Sequence, residues 1–202
     1  MTDNKPFFSV IIPAHNSQEY IRKGLESIRQ QRFKDYELII VCDACTDDTE
    51  LVAKAYTDKV IVTEHGLDGM ARNAGIDAAE GQYILFMDDD DWFLHEFVFE
   101  QIHAAMMTEA RPDIMLFSFI WKGRGYCSQV EARRIACWAK CWRREHIGDT
   151  RFPAVPHWSD VDFDRAMFAK PGQIGVWDMP MYYYNYLRPG SISWRKEQGE
   201  IE

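Results

Sequence analysis

The chain has 202 residues, and its 23 Lys and Arg against 32 Asp and Glu leave a formal charge of −9. With 47% hydrophobic and 14% aromatic residues it can fill one sizeable core, which excludes disorder of the whole chain; the acidic balance argues against a nucleic-acid binder that neutralises phosphates. No run approaches the ~18 apolar residues of a membrane span, the start Met1-Thr2-Asp3-Asn4-Lys5-Pro6 lacks a signal peptide's apolar region, and an odd count of five cysteines reads as a reducing, cytoplasmic setting.

In chain order, Phe7 to Ile12 is a buried-strand run stopped by Pro13. Asn16 offers a helix cap with Glu19 at capping-box spacing, and Ile21, Leu25 and Ile28 follow at helical spacing. Glu37 to Cys42 predicts a second strand, and Asp47 with Glu50 repeats the capping pattern ahead of Leu51, Val52 and Ala55. Val60 to Thr63 predicts a third strand, Met70 to Ala79 a helix, Tyr83 to Met87 a fourth strand, and His95 to Ala110 a longer helix. Asp113 to Trp121 reads as another strand, Gly123 to Gly125 as a turn, and Ala136 to Arg144 as a basic helical stretch. Continuous apolar strands alternating with helices predict an α/β domain whose Rossmann-like, mostly parallel sheet is flanked by helices. The second half is irregular and rich in Trp and Tyr. No linker or repeat interrupts the chain, so residues 1–202 read as one domain.

In such a sheet, ligands bind beyond the carboxyl ends of the strands. Strand one ends at Pro13-Ala14-His15-Asn16, strand two at Asp43 and strand four at Asp88-Asp89-Asp90-Asp91, so three polar clusters converge on one edge. Asn16 and Asp47 read as helix caps, which leaves room for a ligand nearby. A charge run is ordinarily a solvated turn. Here it leaves a buried strand directly and is followed by Trp92-Phe93, and adjacent carboxylates repel unless a cation compensates. Carboxylates without Cys or His suit Mg²⁺ or Mn²⁺, which keep positions open for phosphate oxygens. No G-x-G-x-x-G follows strand one, and neither a P-loop nor a G-x-S-x-G elbow occurs. Cys42-Asp43-Ala44-Cys45 is a C-x-x-C, but Cys42 falls in a strand, and the looser Cys137/Cys141 pair fits a zinc site poorly. These thiols read as buried apolar groups.

Laid out in order, the motifs resemble those of the family 2 glycosyltransferases, which have the GT-A nucleotide-diphospho-sugar fold. Phe8 to Asn16 is similar to the opening strand, with His15 where Tyr is usual. Val41 to Thr49 resembles V-D-D-G-S-T-D-x-T, Ala71 to Gly75 matches A-R-N-x-G, and Gly81 to Asp91 matches G-x-Y-[IV]-x-F-L-D-x-D-D. Trp138-Ala139-Lys140, Arg151-Phe152-Pro153 and Tyr184 to Ser193 resemble W-N-K, R-F-P and Y-x-x-x-R-P-G-S-I-[ST]. The departures are Cys42 for the first Asp of the second motif, Ala44-Cys45 for Gly-Ser, and Ser159 for the Glu that precedes the family's base.

The resemblance implies a nucleotide-sugar half at about 1–122 and an acceptor-side half at about 123–202. It implies donor contacts from Pro13, His15, Asn16, Asp43, Arg72, Asp88, Asp89 and Arg188. Asp43 would accept from uracil and His15 would lie beside the base. Asp90, with Asp91 as second participant, would hold Mn²⁺ or Mg²⁺ on the diphosphate. Asp160 would be the catalytic base, with Asp162 a nearby competitor. Trp138 and Lys140 are as readily structural as substrate-binding. The implied reaction is inverting transfer of a sugar from a nucleotide diphosphate, UDP above others, to a hydroxyl of a carbohydrate or lipid-linked acceptor. Cell-surface polysaccharide synthesis and peripheral membrane association are compatible with it. The alternatives are a non-catalytic nucleotide-sugar-binding or scaffolding protein, and a nucleotidyltransferase of similar fold, although the latter wants a Gly- and Arg-rich loop after strand one.

Overall fold

The computed structural model describes residues 5–135, 137–189 and 191–200; Ala136, at the head of the expected basic helix, and Gly190 of the closing motif lie outside the described residues. Apolar runs make the centre of the sheet. β1 (Phe8–Ala14) is buried along its whole length, and β2 (Tyr36–Asp43) is buried from Leu38 onward. With β3 (Val60–Thr63) and β4 (Tyr83–Phe86) they form four parallel strands in the order β3-β2-β1-β4. The helices α1 (Ile21–Arg29), α2 (Thr49–Lys54) and α3 (Asp68–Ala78) make the crossovers. β1 and α3 pack so closely that a Cβ on Gly75 would lie 2.3 Å from Ile11 Cγ2.

Two expected helix starts differ. Asn16 does not cap α1: its backbone is left-handed (φ 47°), and its Oδ1 accepts from the Thr46 N–H at 2.7 Å. α1 begins at Ile21 without a side-chain cap. Asp47 does hold the start of α2, accepting from the Thr49 N–H at 2.9 Å, yet its other oxygen accepts from the Gln18 N–H at 3.2 Å and ties two loops together.

Beyond β4 come the two-residue β5 (Trp92–Phe93), α4 (Val98–Met106), β6 (Ile114–Trp121), β7 (Gly125–Cys127) and α5 (Gln129–Ile135). The expected basic helix is instead β8 (Lys140–Arg143), followed by the single turn α6 (Arg144–Ile147). β8 runs antiparallel between β4 and β6 in mid-sheet. It can sit there because Lys140, fully buried, pairs with Asp164 at 2.7 Å on α7 (Ser159–Ala169). Trp142 and Cys141 are equally buried. β9 (Ile174–Tyr184) pairs parallel with β6 and antiparallel with β5, and α8 (Ile192–Glu197) closes the described chain. The sheet is therefore parallel through its first half and mixed through its second, and both halves share it.

Candidate active site

The carboxyl ends of β1, β2 and β4 open into a cleft of about 730 Å³, lined on its far side by residues 184–189, Ser191, Ser193 and Arg195. Pro13, His15, Asn16, Asp43, Arg72, Asp88, Asp89, Asp90 and Arg188 all line it; Asp91 and Asp160 do not.

Asp43, the last residue of β2, is 3% exposed. Its carboxylate accepts from the Thr63 hydroxyl (2.8 Å) and from the N–H groups of His65 (2.7 Å) and Leu67 (2.9 Å). Burial alone would raise its pKa, but these bonds outweigh it and hold the group below its ordinary value. Asp43 thus pins the loop that leads into α3, and little of its acceptor capacity is left for a base. His15 donates from Nδ1 to the Asp43 carbonyl at 2.7 Å. Its backbone N–H donates to Asp89 at 3.1 Å.

The four aspartates have four different fates. Asp88 pairs through Oδ1 with Arg72 at 2.5 Å. Burial pushes its pKa up to about 7; Arg72 opposes, while Asp68, Asp90 and Asp160 add to the rise. Burial and Asp90 push Asp89 up to about 6, against Arg188 and the His15 N–H. Asp90 Oδ2 accepts from Arg188 Nε at 2.6 Å, and Arg188 Nη2 lies 3.6 Å from Asp89. Asp91 turns away. It is fully buried, accepting from the Tyr182 hydroxyl at 2.7 Å and the Asn185 N–H at 2.7 Å. It is a structural anchor rather than a metal ligand, because both oxygens are engaged behind the cleft wall.

Among the described residues no group of three His, Cys, Asp or Glu is arranged to hold a metal. The donor set nevertheless suits Mg²⁺ or Mn²⁺ of the kind shared between one or two carboxylates, water and a substrate's phosphates. Asp88 and Asp90 both face the cleft, and the protein bonds described take Oδ1 of one and Oδ2 of the other.

Asp160 sits in the first turn of α7, and Arg72 and Asp88 act on it electrostatically. Burial pushes its pKa up; Arg72 pulls the other way and Asp68 adds to the rise. Asp162, by contrast, is half exposed and paired with Arg165 at 2.8 Å on the surface. Ser159 packs against α3, where a Cβ on Gly69 would come within 2.8 Å of it, so a small residue suits that position. Trp138 stacks on Tyr182 (4.8 Å, 10°), and with buried Lys140 it builds the wall rather than lining the cleft.

Two cleft residues, Asp68 and Tyr20, and one buried behind the cleft, Tyr182, escape sequence reasoning. Asp68 grips Arg72 from one helical turn away, a pairing that the i,i+4 spacing does signal. Tyr182, whose hydroxyl accepts from the Asp88 N–H at 3.0 Å, and Tyr20, which lies under Arg188 at 4.5 Å, come from distant segments and leave no such signal.

The parallel half-sheet with an acidic cluster at its carboxyl edge, facing two arginines, is the arrangement of the GT-A fold class. The model of glycosyl transferase family 2 matches residues 9–167, and the chain belongs to that family. It is 34% identical over 117 residues to the poly(ribitol-phosphate) β-N-acetylglucosaminyltransferase TarS of Staphylococcus aureus, covering 54% of this chain and 20% of TarS. It is 37% identical over 94 residues to the amylovoran biosynthesis glycosyltransferase AmsB of Erwinia amylovora, covering 42% and 31%. The chain therefore spans a fifth to a third of these relatives. The crystal structure of S. aureus TarS 1–349 in complex with UDP-GlcNAc superposes with a TM-score of 0.81 at 27% identity, over 91% of this chain and 59% of that one. The mannosyltransferase PcManGT of Pyrobaculum calidifontis, in complex with GDP-Man and Mn²⁺, shares the fold (TM-score 0.76, 14% identity, 97% and 61% covered). No helix among the described residues is long and apolar enough to cross a membrane.

Proposed function

We propose that the protein transfers a sugar from UDP to a hydroxyl of a cell-surface carbohydrate polymer, inverting the anomeric centre. The observation that carries this reading is one cleft in which two arginines, Arg72 and Arg188, meet two carboxylates, Asp88 and Asp90, each of which gives one oxygen to an arginine among the described residues. The TarS complex with UDP-GlcNAc supports uridine as the base.

When bound, a divalent cation would supply charge to the departing diphosphate, and Asp88 and Asp90 are the residues to hold it. Arg188 would turn from Asp90 to the phosphates and stabilise the same developing charge. Arg72 fixes Asp88. Asp160 would take the proton of the acceptor hydroxyl as that oxygen attacks the anomeric carbon from the face opposite the diphosphate. Its raised pKa suits that task, and its surroundings favour it over Asp162, whose carboxylate is spent on Arg165.

The test is release of UDP from a panel of UDP-sugars, UDP-GlcNAc first, with Mn²⁺ and with chelator, using a polyol-phosphate wall polymer as acceptor and reading the product linkage by NMR. Metal-dependent UDP release with an inverted linkage is expected. Retention of configuration would overturn the base assignment, and absence of metal-dependent UDP binding would overturn the donor reading.

A further inference from the structure

The C-x-x-C at the end of β2 has no part in the chemistry above, yet its Cys45 differs from the other four thiols in being partly exposed. Cys127, Cys137 and Cys141 are buried, and burial raises their pKa values, so they are inert. Cys42 and Cys45 are near enough that each shifts the other's ionisation, and Cys45 Sγ donates to the Ala14 carbonyl at 3.4 Å. Between them Ala44 adopts a left-handed backbone (φ 50°), rare for a residue with a Cβ, and it closes the turn that brings 42 and 45 together. Both thiols flank Ala14 of β1: Cys42 is its register partner, and Cys45 Sγ lies 3.4 Å from its carbonyl oxygen. Cys45 is partly exposed, Cys42 fully buried. The neighbouring Cys42 pulls Cys45 down to about 7, so the accessible thiol of the pair is the one that ionises more readily.

We propose that Cys42 and Cys45 are a redox modification site, an intramolecular dithiol–disulfide pair set directly behind the donor cleft. The co-reactant is a low-molecular-weight disulfide such as glutathione disulfide. Cys45 thiolate attacks one of its sulfurs, forming a mixed disulfide and expelling one thiolate, which takes up a proton. Capping the Cys45 sulfur removes the neighbour's share of what raises Cys42, while burial still raises it. Cys42 then gives up its proton and attacks Cys45 Sγ, and the second small thiol leaves. The protein loses two electrons and two protons, and the disulfide becomes two thiols.

The turn being cross-linked carries cleft residues. The Asp43 carbonyl accepts from His15 Nδ1, and the Thr46 N–H donates to Asn16 at 2.7 Å. Drawing Cys45 from the Ala14 carbonyl onto Cys42 moves residues 43–46 and with them His15 and Asn16. Oxidation is expected to weaken UDP binding by about tenfold, within the usual span of coupling between sites. This consequence rests on the proposed donor site; the modification itself does not.

The full-length protein is treated with glutathione disulfide, then analysed by intact mass, thiol count and peptide mapping, and by UDP calorimetry with Mn²⁺. Expected are loss of two thiols, a 42–45 linkage, weaker UDP binding, and reversal by dithiothreitol. Cys42→Ser should stop at the glutathione adduct, and Cys45→Ser should remain unmodified with UDP affinity near that of the reduced protein. A 42–45 pair that stays reduced under these conditions overturns the site, and a formed disulfide with unchanged UDP affinity overturns its effect on the cleft. If reduced protein binds no UDP, the donor reading fails, and the mass and thiol readouts still decide the disulfide.

Discussion

Pro13 to Asn16, Asp43 and Asp88 to Asp91 leave the ends of adjacent parallel strands, whereas Tyr184 to Pro189, Ser191, Ser193 and Arg195 reach the same cleft beyond β9, four strands away from β1 in the sheet. The first wall is positioned by strand register: Ala14 sits opposite Cys42, and Asp43 opposite Thr63. The second wall is held by bonds across the cleft. Asp91 fixes the buried Tyr182 and the backbone of Asn185, while Asp90 holds Arg188 at the surface of the cleft. Neighbouring carboxylates in one run thus do opposite work. A buried pair with both oxygens used is a fixed joint; a partly exposed ion pair can be exchanged.

The largest expected effect breaks the chemistry while leaving both walls standing. Asp160→Asn should fold, bind UDP and Mn²⁺ as wild type does, and lose transfer by ~10²–10⁴-fold, whereas Asp162→Asn, on the exposed face of α7, should keep most of its rate. Steady-state kinetics on the two variants beside calorimetry checks both.

Breaking the fixed joint comes next. Asp91→Ala leaves the buried Tyr182 hydroxyl and the part-buried Asn185 N–H without their acceptor and should lower unfolding stability by about 2 kcal/mol. Urea denaturation measures it, and the Mn²⁺ dependence of UDP binding in the folded variant should persist.

The exchangeable pair predicts smaller effects of opposite sign. Asp90→Asn should weaken Mn²⁺-dependent UDP binding. Arg188→Gln should also weaken UDP binding but strengthen Mn²⁺ binding without nucleotide, because it frees Asp90 from its internal counter-ion. Electron paramagnetic resonance of free Mn²⁺ separates the two; parallel losses in both variants would contradict an exchange.

A change of shape rather than size sharpens the role of Asp160. Its carboxyl must be ionised to accept a proton, so kcat/KM should rise with pH through its pKa. Because burial raises that pKa, the limb should lie above the ordinary carboxylate range near ~4. The residual activity of Asp160→Asn should lack it, and a pH–rate profile of both proteins is the measurement.

Much of this was readable in residue order. The apolar runs at Phe8, Leu38, Val60 and Tyr83 mark four strands because a parallel sheet covered on both faces needs unbroken apolar sequence. The acidic and amide residues that follow them then fall on one edge. β8 was not readable: Lys140 and Arg143 at its ends look like a charged helical face, and the partner that permits a buried lysine, Asp164, lies on another element. Asn16 misled for a related reason, since its amide serves Thr46, a residue 30 positions away, rather than the helix beside it.

The amino-acid sequence by itself determined the parallel half-sheet, the edge at which the polar clusters meet and the chemical types gathered there, because these follow from local periodicity and from residues adjacent in the chain. Tertiary structure decided which of Asp88 to Asp91 face the cleft. Each carboxylate goes to the partner that neutralises or caps it, and those partners, Tyr182 for Asp91 and Arg188 for Asp90, stand 91 and 98 residues away. A run of four identical residues carries no local difference by which to assign them.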